Sequence, residues 1–165
     1  MSSLFPESSG ATFSPCRRYR YTLWRQWDER PPATFIMLNP STADETANDP
    51  TVERCQRRAQ AMGYGGIRVA NIFALRSTDP GALYTAEDPV GPENDQALLT
   101  TAQGAGLVIC AWGGHGHHQG RGVAVRALLQ AKGIPLRVLR LNRDGNPQHP
   151  LYIGYDVAPT PWGSV

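Results

Sequence analysis

The chain has 165 residues, of which 41% are hydrophobic and 18% are charged, a composition that fits one globular domain and excludes a disordered chain. Its formal net charge of +2 gives no reason by itself to expect a nucleic-acid partner. The three cysteines are odd in number and widely spaced, so they form neither a paired-cysteine metal motif nor a disulfide framework, and a cytoplasmic setting is expected.

The two ends of the chain are rich in Ser, Pro and Gly. Residues 1–18 are predicted to be a flexible arm and residues 154–165 a tail, which leaves residues 19–153 as a single domain. The first residues lack the charged and apolar regions of a signal peptide, and no apolar run approaches the about 20 residues needed to cross a bilayer. No partnership with a membrane is therefore expected.

Predicted strands and helices alternate between these ends. Residues 19–27 alternate in polarity and are rich in aromatic side chains, which favours an antiparallel or edge strand. Buried strands are predicted at 33–38, 67–73, 107–112 and 134–141, and helices at 49–63, 91–104 and 123–133. This alternation predicts an α/β three-layer sandwich with a mostly parallel central sheet of four to five strands and helices on both faces.

Polar residues follow the predicted buried strands. The apolar run Phe35 to Leu38 stops at Asn39-Pro40, where proline ends the strand, and further polar residues follow the next strands at 71–76 and 112–121. In open α/β sheets, ligands bind at the edge where the carboxyl ends of parallel strands meet. These residue types also form turns and helix caps, which is the alternative interpretation.

Some of these residues have side chains suited to catalysis. Asp44 is the preferred carboxylate for activating water, since Asp49 is expected to cap a helix. His149 precedes a proline in a loop at the same edge and could stabilise negative charge on a leaving group, or it could be a surface histidine in a turn. The residues predicted to bind the substrate are Pro40, Ser41, Thr42, Asn71, Arg76, Trp112, Gly113, Gly114, His115 and Arg121.

The glycine-rich segment 113–122 lies between a predicted strand and a helix, a position where backbone N–H groups can bind a phosphate. It lacks the Gly-Lys-Ser/Thr of a Walker loop, and Gln119 stands where a dinucleotide fingerprint has its third glycine, so a flexible loop is the alternative. His115, His117 and His118 have neither a His-x-x-x-His spacing nor a cysteine partner. No metal and no cofactor is therefore predicted.

Several motifs together resemble an uncharacterised bacterial and phage family, the domain of unknown function 1643. The resemblance covers most of residues 19–153 and implies no established activity. The motifs lie at 37–43, 48–51, 69–76 and 111–113.

Three shorter motifs are similar to those of uracil-DNA glycosylase-like proteins, which have a three-layer α/β fold. They are Leu38-Asn39-Pro40-Ser41, Val69-Ala70-Asn71 and His149-Pro150-Leu151. The resemblance implies that Asn39 orients the attacking water, that Asn71 is a pocket residue and that His149 stabilises the departing base. The sequence departs from these motifs where Met37 and Ser41 replace glycines and Leu151 replaces a serine.

The sequence therefore predicts an enzyme acting on a nucleobase or nucleotide, a hydrolase of the glycosylase type in DNA repair or base modification, with a nucleotide or nucleic acid as its partner. One alternative is a nucleotide or sugar-phosphate enzyme that uses the segment 113–122. Another is a non-catalytic nucleotide- or nucleic-acid-binding module. A glycosylase would also require a basic rim, including Arg76 and Arg121, around the pocket.

Overall fold

A computed structural model of the chain describes residues 6–163, which form one mixed sheet with α-helices packed against it. The strands are β1 (Ser8–Phe13), β2 (Arg20–Gln26), β3 (Pro32–Met37), β4 (Gly66–Asn71), β5 (Val108–Cys110), β6 (Arg137–Val138) and β7 (Thr160–Pro161). The α-helices are α1 (Pro50–Ala61), α2 (Ala82–Thr85), α3 (Asn94–Ala102) and α4 (Arg121–Ala131), and 3₁₀ helices cover Gly114–Gly120 and Pro150–Tyr152. Within residues 6–163, none of the helices combines the length and apolar character that a membrane crossing requires.

The sheet has the strand order β1-β2-β4-β3-β5-β6-β7. The four inner strands β4, β3, β5 and β6 run parallel, whereas β1, β2 and β7 each pair antiparallel with their neighbours. The α/β class is confirmed, but the prediction of a mostly parallel sheet of four to five strands is wrong. The parallel part has four strands. β2 is antiparallel, which confirms the prediction for residues 19–27, and the two chain ends add β1 and β7.

The strand β1 lies in the segment predicted to be a flexible arm, and it pairs with β2 along its whole length. Only one of its six residues is buried and the strand has no continuous apolar run, so the ladder with β2 and the packing of Gly10 against Trp24 hold it. A Cβ at position 10 would lie 2.1 Å from Cζ2 of Trp24. The predicted tail likewise contributes β7, while residues 1–5 and 164–165 lie outside the described residues.

Successive side chains of the inner strands point to opposite faces of the sheet and pack into two separate cores. Phe35 and Met37 of β3 pack with Val52, Cys55 and Ala59 of α1 on one face. On the other face, Ile36 packs with side chains of α3 and α4, namely Leu98, Ala102, Val125 and Leu129. Helices therefore cover both faces, which is why the strands read as continuous apolar runs in the sequence.

The order of the parallel strands reverses beside β3. The chain passes from β3 through α1 to β4 on one side, and then from β4 through α2 and α3 to β5 on the other side. The crossover connections on either side of this reversal open a crevice at the carboxyl ends of β3 and β5. This crevice is where the polar clusters that follow the strands converge.

Candidate functional site

A cavity of about 440 Å³ lies at the carboxyl ends of β3, β4 and β5. This volume falls within the range of pockets that take small molecules. Residues 37–41 line it from the end of β3, Asn71 from β4, and Trp112 and Gly113 from β5. The start of α1 and the loop that carries His149 complete the wall. The cavity brings together these predicted site residues: Asn39, Pro40, Ser41, Asn71, Trp112, Gly113, His115 and His149.

Asp44, the carboxylate predicted to activate water, does not line this cavity. Its Oδ1 accepts the N–H groups of Thr46 at 3.0 Å and Ala47 at 2.8 Å, so the side chain closes its own turn. These two N–H groups, Ala47 foremost, hold the pKa of the Asp44 carboxyl below its usual value. Its role in the structure is that of a turn residue.

Arg121, predicted to bind the substrate, does not line the cavity either. The side chain is buried, and its Nε donates to the carbonyl of Ile72 at 2.7 Å while Nη2 donates to Asp95 at 2.6 Å. Arg121 therefore connects α4 to the end of β4 and to α3.

Three other predicted residues also lie outside the cavity lining. Gly114 begins the 3₁₀ helix, and Thr42 and Arg76 line a separate cleft next to the cavity.

The amide of Asn39 is held in one orientation by the loop around it. Its Nδ2 donates to the carbonyls of Pro40 at 3.2 Å, Ser77 at 3.0 Å and Leu75 at 3.4 Å. Because three carbonyl acceptors surround one end of the amide, that end must be the NH₂ group. No donor within residues 6–163 reaches Oδ1, so this acceptor remains for a ligand in the cavity.

Asn71 is oriented in the opposite sense. Its Oδ1 accepts from Nη2 of Arg20 at 3.4 Å, and no acceptor within the described part of the chain takes the protons of its Nδ2. Asn94 fixes the backbone at this point because its Nδ2 donates to the carbonyls of Asn71 at 2.8 Å and Ile72 at 3.2 Å. Asn71 therefore offers a donor to the cavity where Asn39 offers an acceptor.

Arg20 lines the cavity although nothing in the sequence singled it out, since it comes from the antiparallel strand β2. Its side chain is 2% exposed and bonds only to neutral oxygens, those of Ala43 at 3.1 Å and Asn71. Burial lowers its pKa to about 10, so the guanidinium is still charged at neutral pH. The cavity wall thus contains a positive charge that makes no ion pair with any residue from 6 to 163.

His149 is half-buried at the cavity, and Pro150 follows it at the start of a 3₁₀ helix. Its Nδ1 accepts the N–H of Leu151 at 3.2 Å, which places the proton of the neutral ring on Nε2. Burial lowers the pKa of His149, and the carboxylate of Asp49 opposes this shift in part. The neutral ring therefore presents an Nε2–H donor.

This lowered pKa makes the stability of the protein dependent on His149 in acid. Below the unfolded value of about 6.5, the unfolded chain takes up a proton that the folded ring resists, so stability falls until the pH passes the folded pKa. We expect wild type to lose stability relative to His149→Asn, whose side-chain oxygen can still cap Leu151, as the pH falls from 7.5 to 5. Urea denaturation at a series of pH values measures this, and parallel curves for the two proteins would contradict it.

Asp49 is the carboxylate that does line the cavity. As predicted, it caps α1, with Oδ1 accepting from Val52 N at 2.8 Å, and its Oδ2 accepts from Ala43 N at 3.2 Å. Each oxygen keeps a further lone pair. The sequence made Asp49 the second candidate for activating water, after Asp44, because it was expected to cap the helix; in the structure one carboxylate caps the helix and lines the cavity.

The glycine-rich segment is not an open phosphate loop. Gly113 N donates to the carbonyl of Pro147 at 2.7 Å and Gly116 N to that of Gly113 at 3.1 Å, so these two N–H groups are occupied. Gly116 and Gly122 pack against the Trp112 ring. A Cβ at position 116 would lie 2.2 Å from Cδ1 of the ring, and a Cβ at position 122 would lie 2.8 Å from its Nε1. Close packing explains these glycines. Trp112 itself is 1% exposed, so it closes the wall and offers little area for stacking.

The three neighbouring histidines surround Tyr84 of α2. Nδ1 of His115 lies 2.9 Å from the Tyr84 hydroxyl, and Nε2 of His118 lies 3.0 Å from the carbonyl of Leu83. The His118 and Tyr84 ring centroids are 4.2 Å apart. Among residues 6–163, no group of three His, Cys, Asp or Glu side chains is placed to hold a metal ion.

Comparison with known proteins gives a family and no activity. The family model described as "Protein of unknown function (DUF1643)" matches residues 20–151. No curated protein and no solved structure matches the chain.

Proposed function

The chain belongs to the DUF1643 family of proteins of unknown function, and we propose that it is an enzyme that acts on a nucleobase or nucleotide. The reaction that fits the cavity best is hydrolysis of an N-glycosidic bond. This makes the protein a hydrolase of the glycosylase type, in DNA repair or base modification.

One observation carries the proposal: three polar side chains in the cavity are each oriented by the protein through one atom and leave another atom unbonded. Asn39 is held through Nδ2, Asn71 through Oδ1 and His149 through Nδ1. A side chain that only caps a turn has no need to face a cavity of about 440 Å³. Prior orientation of such groups is what a binding or catalytic site requires.

The free atoms match the edge of a nucleobase. Nucleobases carry both hydrogen-bond acceptors and donors on their edges, and an enzyme reads a base taken out of its stack by hydrogen bonds to that edge. The Nδ2 of Asn71 and the Nε2–H of His149 can donate to acceptors on that edge, which leaves the Oδ1 of Asn39 for the attacking water. Tyr152 is 86% exposed at the mouth of the cavity, where its ring can stack on a neighbouring base.

Hydrolysis needs an oriented water and a stabilised leaving group. Oδ1 of Asn39 accepts a hydrogen bond from the water, and Asp49 takes over the role that the sequence assigned to Asp44, accepting its proton. The water oxygen then bonds to the anomeric carbon as the bond to the base breaks. The base leaves with the electron pair, and His149 Nε2–H and the charge of Arg20 stabilise it.

No curated protein or solved structure, of the uracil-DNA glycosylase-like class or any other, matches the chain. The proposal therefore rests on the residues themselves: Asn39, Asn71 and His149 all line the cavity. The alternative nucleotide or sugar-phosphate enzyme depends on the segment 113–122 binding a phosphate. The occupied N–H groups of Gly113 and Gly116 do not favour that use of the segment.

The test is a mass-spectrometric screen for released bases. Wild type is incubated with oligonucleotides that each carry one modified or mismatched base, single-stranded and in duplex, and with free nucleosides and nucleotides. We expect wild type to release one class of base and to leave an abasic site. The double variant Asn39→Ala/His149→Ala, prepared in the same way, supplies the blank.

Two results would overturn the proposal. Equal release by the blank would trace the activity to a contaminant. No release from any substrate, together with a higher melting temperature in the presence of nucleotides, would instead favour the non-catalytic binding module.

A further inference from the structure

We propose that the arginine-lined cleft next to the cavity binds a phosphate group of the ligand whose base enters the cavity. The cleft has a volume of about 420 Å³ and is lined by Arg17, Arg18 and Arg76 and by hydroxyl side chains. Ser41, Ser77 and Thr78 line both the cleft and the cavity and form the wall between them. The proposal rests on the proposed function only for the nature of the group in the cavity.

The cleft carries positive charge that the protein does not neutralise. Arg17 forms a two-point ion pair with Glu45, with both N–O distances 2.9 Å. Neither Arg18 nor Arg76 makes an ion pair within residues 6–163, and no acidic side chain lines the cleft. Two guanidinium groups therefore remain available to an anion.

Two of the three arginines, Arg17 and Arg76, are also held in place before a ligand arrives. The guanidinium of Arg17 lies 3.8 Å from the centre of the Phe13 ring, and that of Arg76 lies 4.8 Å from the same ring. Arg76 Nη1 donates to the carbonyl of Arg17 at 3.3 Å, which leaves its other N–H groups free. β1 supplies Phe13, so the strand that the sequence did not predict supports this cleft.

The donor set suits a phosphate. Guanidinium groups bind phosphate oxygens through parallel N–H bonds, and the exposed hydroxyls of Thr42 and Thr78 can donate to the same group. The hydroxyl of Ser77 is already used, since it donates to the carbonyl of Asp79 at 2.7 Å. A base in the cavity and a phosphate in the cleft make the ligand a nucleotide unit, as a monophosphate or within a strand, and not a free base.

The experiment compares charged and neutral probes by direct binding, without turnover. One arm titrates a fluorescein-labelled single-stranded DNA of mixed sequence against the same sequence with neutral methylphosphonate linkages. The other arm compares the thermal shift given by the four nucleoside 5′-monophosphates with that given by the nucleosides. A preference for the charged probe in the first arm alone would show that the phosphate belongs to a nucleic-acid strand. A preference in both arms would show that the cleft also binds the phosphate of a free nucleotide.

We expect the charged probe to bind about tenfold more tightly than the neutral one, and Arg18→Gln/Arg76→Gln to abolish this difference. The matched control is Arg68→Gln/Arg137→Gln, which removes the same charge from two exposed residues that line neither the cavity nor the cleft, and it should keep the preference. Equal affinity for charged and neutral probes in both arms, or an equal loss in the control, would overturn the proposal.

The same assay separates this proposal from the proposed function. The variant Asn39→Ala/His149→Ala retains every arginine of the cleft and should keep the preference for the charged probe. A protein that prefers the charged probe but releases no base would therefore reject the hydrolase and retain the phosphate site.

Discussion

Replacing Asn39 by alanine is expected to lower kcat for base release by at least about a hundredfold, with a much smaller change in KM. The substitution removes Oδ1, the acceptor that orients the attacking water, and this interaction matters most in the transition state. It also removes the donor that serves the carbonyls of Pro40, Leu75 and Ser77. Steady-state kinetics on the substrate found by the screen measure both parameters.

A change of turnover could also follow from a disordered loop, so the variant needs a control that perturbs the same segment. Asp44→Asn lies in that loop outside the cavity, and its side-chain oxygen can still accept the N–H groups of Thr46 and Ala47. Its kcat and KM should equal those of wild type. A large loss of turnover in Asp44→Asn would restore Asp44 as the catalytic carboxylate and contradict the role given to Asp49.

Replacing Trp112 by alanine should destabilise the protein by about 3–5 kcal/mol, the usual cost of removing a large buried ring. Trp112 is 1% exposed, its Nε1 donates to Asn146 Oδ1 at 3.1 Å, and its ring centroid lies 5.5 Å from that of Trp162. The ring joins the cavity wall to the core beneath α4. The free energy of unfolding from urea titrations checks this value.

Two further comparisons show whether the loss of stability in Trp112→Ala comes from the loss of ring packing. Trp112→Phe keeps a six-membered aromatic ring but loses the five-membered ring of the indole and its donor to Asn146, so it should cost less than Trp112→Ala. Gly116→Ala places a Cβ against the ring and should destabilise the protein by about 1–3 kcal/mol. Its control is Gly106→Ala, where a Cβ meets no atom within 4 Å. Equal effects at positions 116 and 106 would contradict this account of Trp112.

Local sequence signals predicted the inner part of the fold because burial on both faces leaves continuous apolar runs. Residues 35–38 and 107–112 were recognised on that basis, and Asp49-Pro50 marked the start of α1 through its capping chemistry. The outer strands gave no such signal. β1 has one buried residue and no continuous apolar run, and its partner β2 supplies the backbone bonds that make it a strand.

The candidate site likewise contains some residues that the sequence could predict and others that only the structure reveals. Asn39, Asn71 and His149 could be found in the sequence because each follows or ends an element, and strand topology then places them at one edge. Arg20 could not be found, because its strand runs antiparallel to β4 and brings the side chain to Asn71 from a distant part of the chain. Asp44 and Arg121 are polar residues in suitable positions, but their bonding partners lie outside the cavity.

The sequence by itself determined the alternation of strands and helices, the caps and the polar residues at the strand ends, since these depend on apolar periodicity and on neighbours a few residues away. The tertiary structure decided which atom of each side chain remains free. That choice depends on partners far apart in the chain, such as Arg20 for Asn71 and Ser77 for Asn39, and only folding brings them within hydrogen-bond distance.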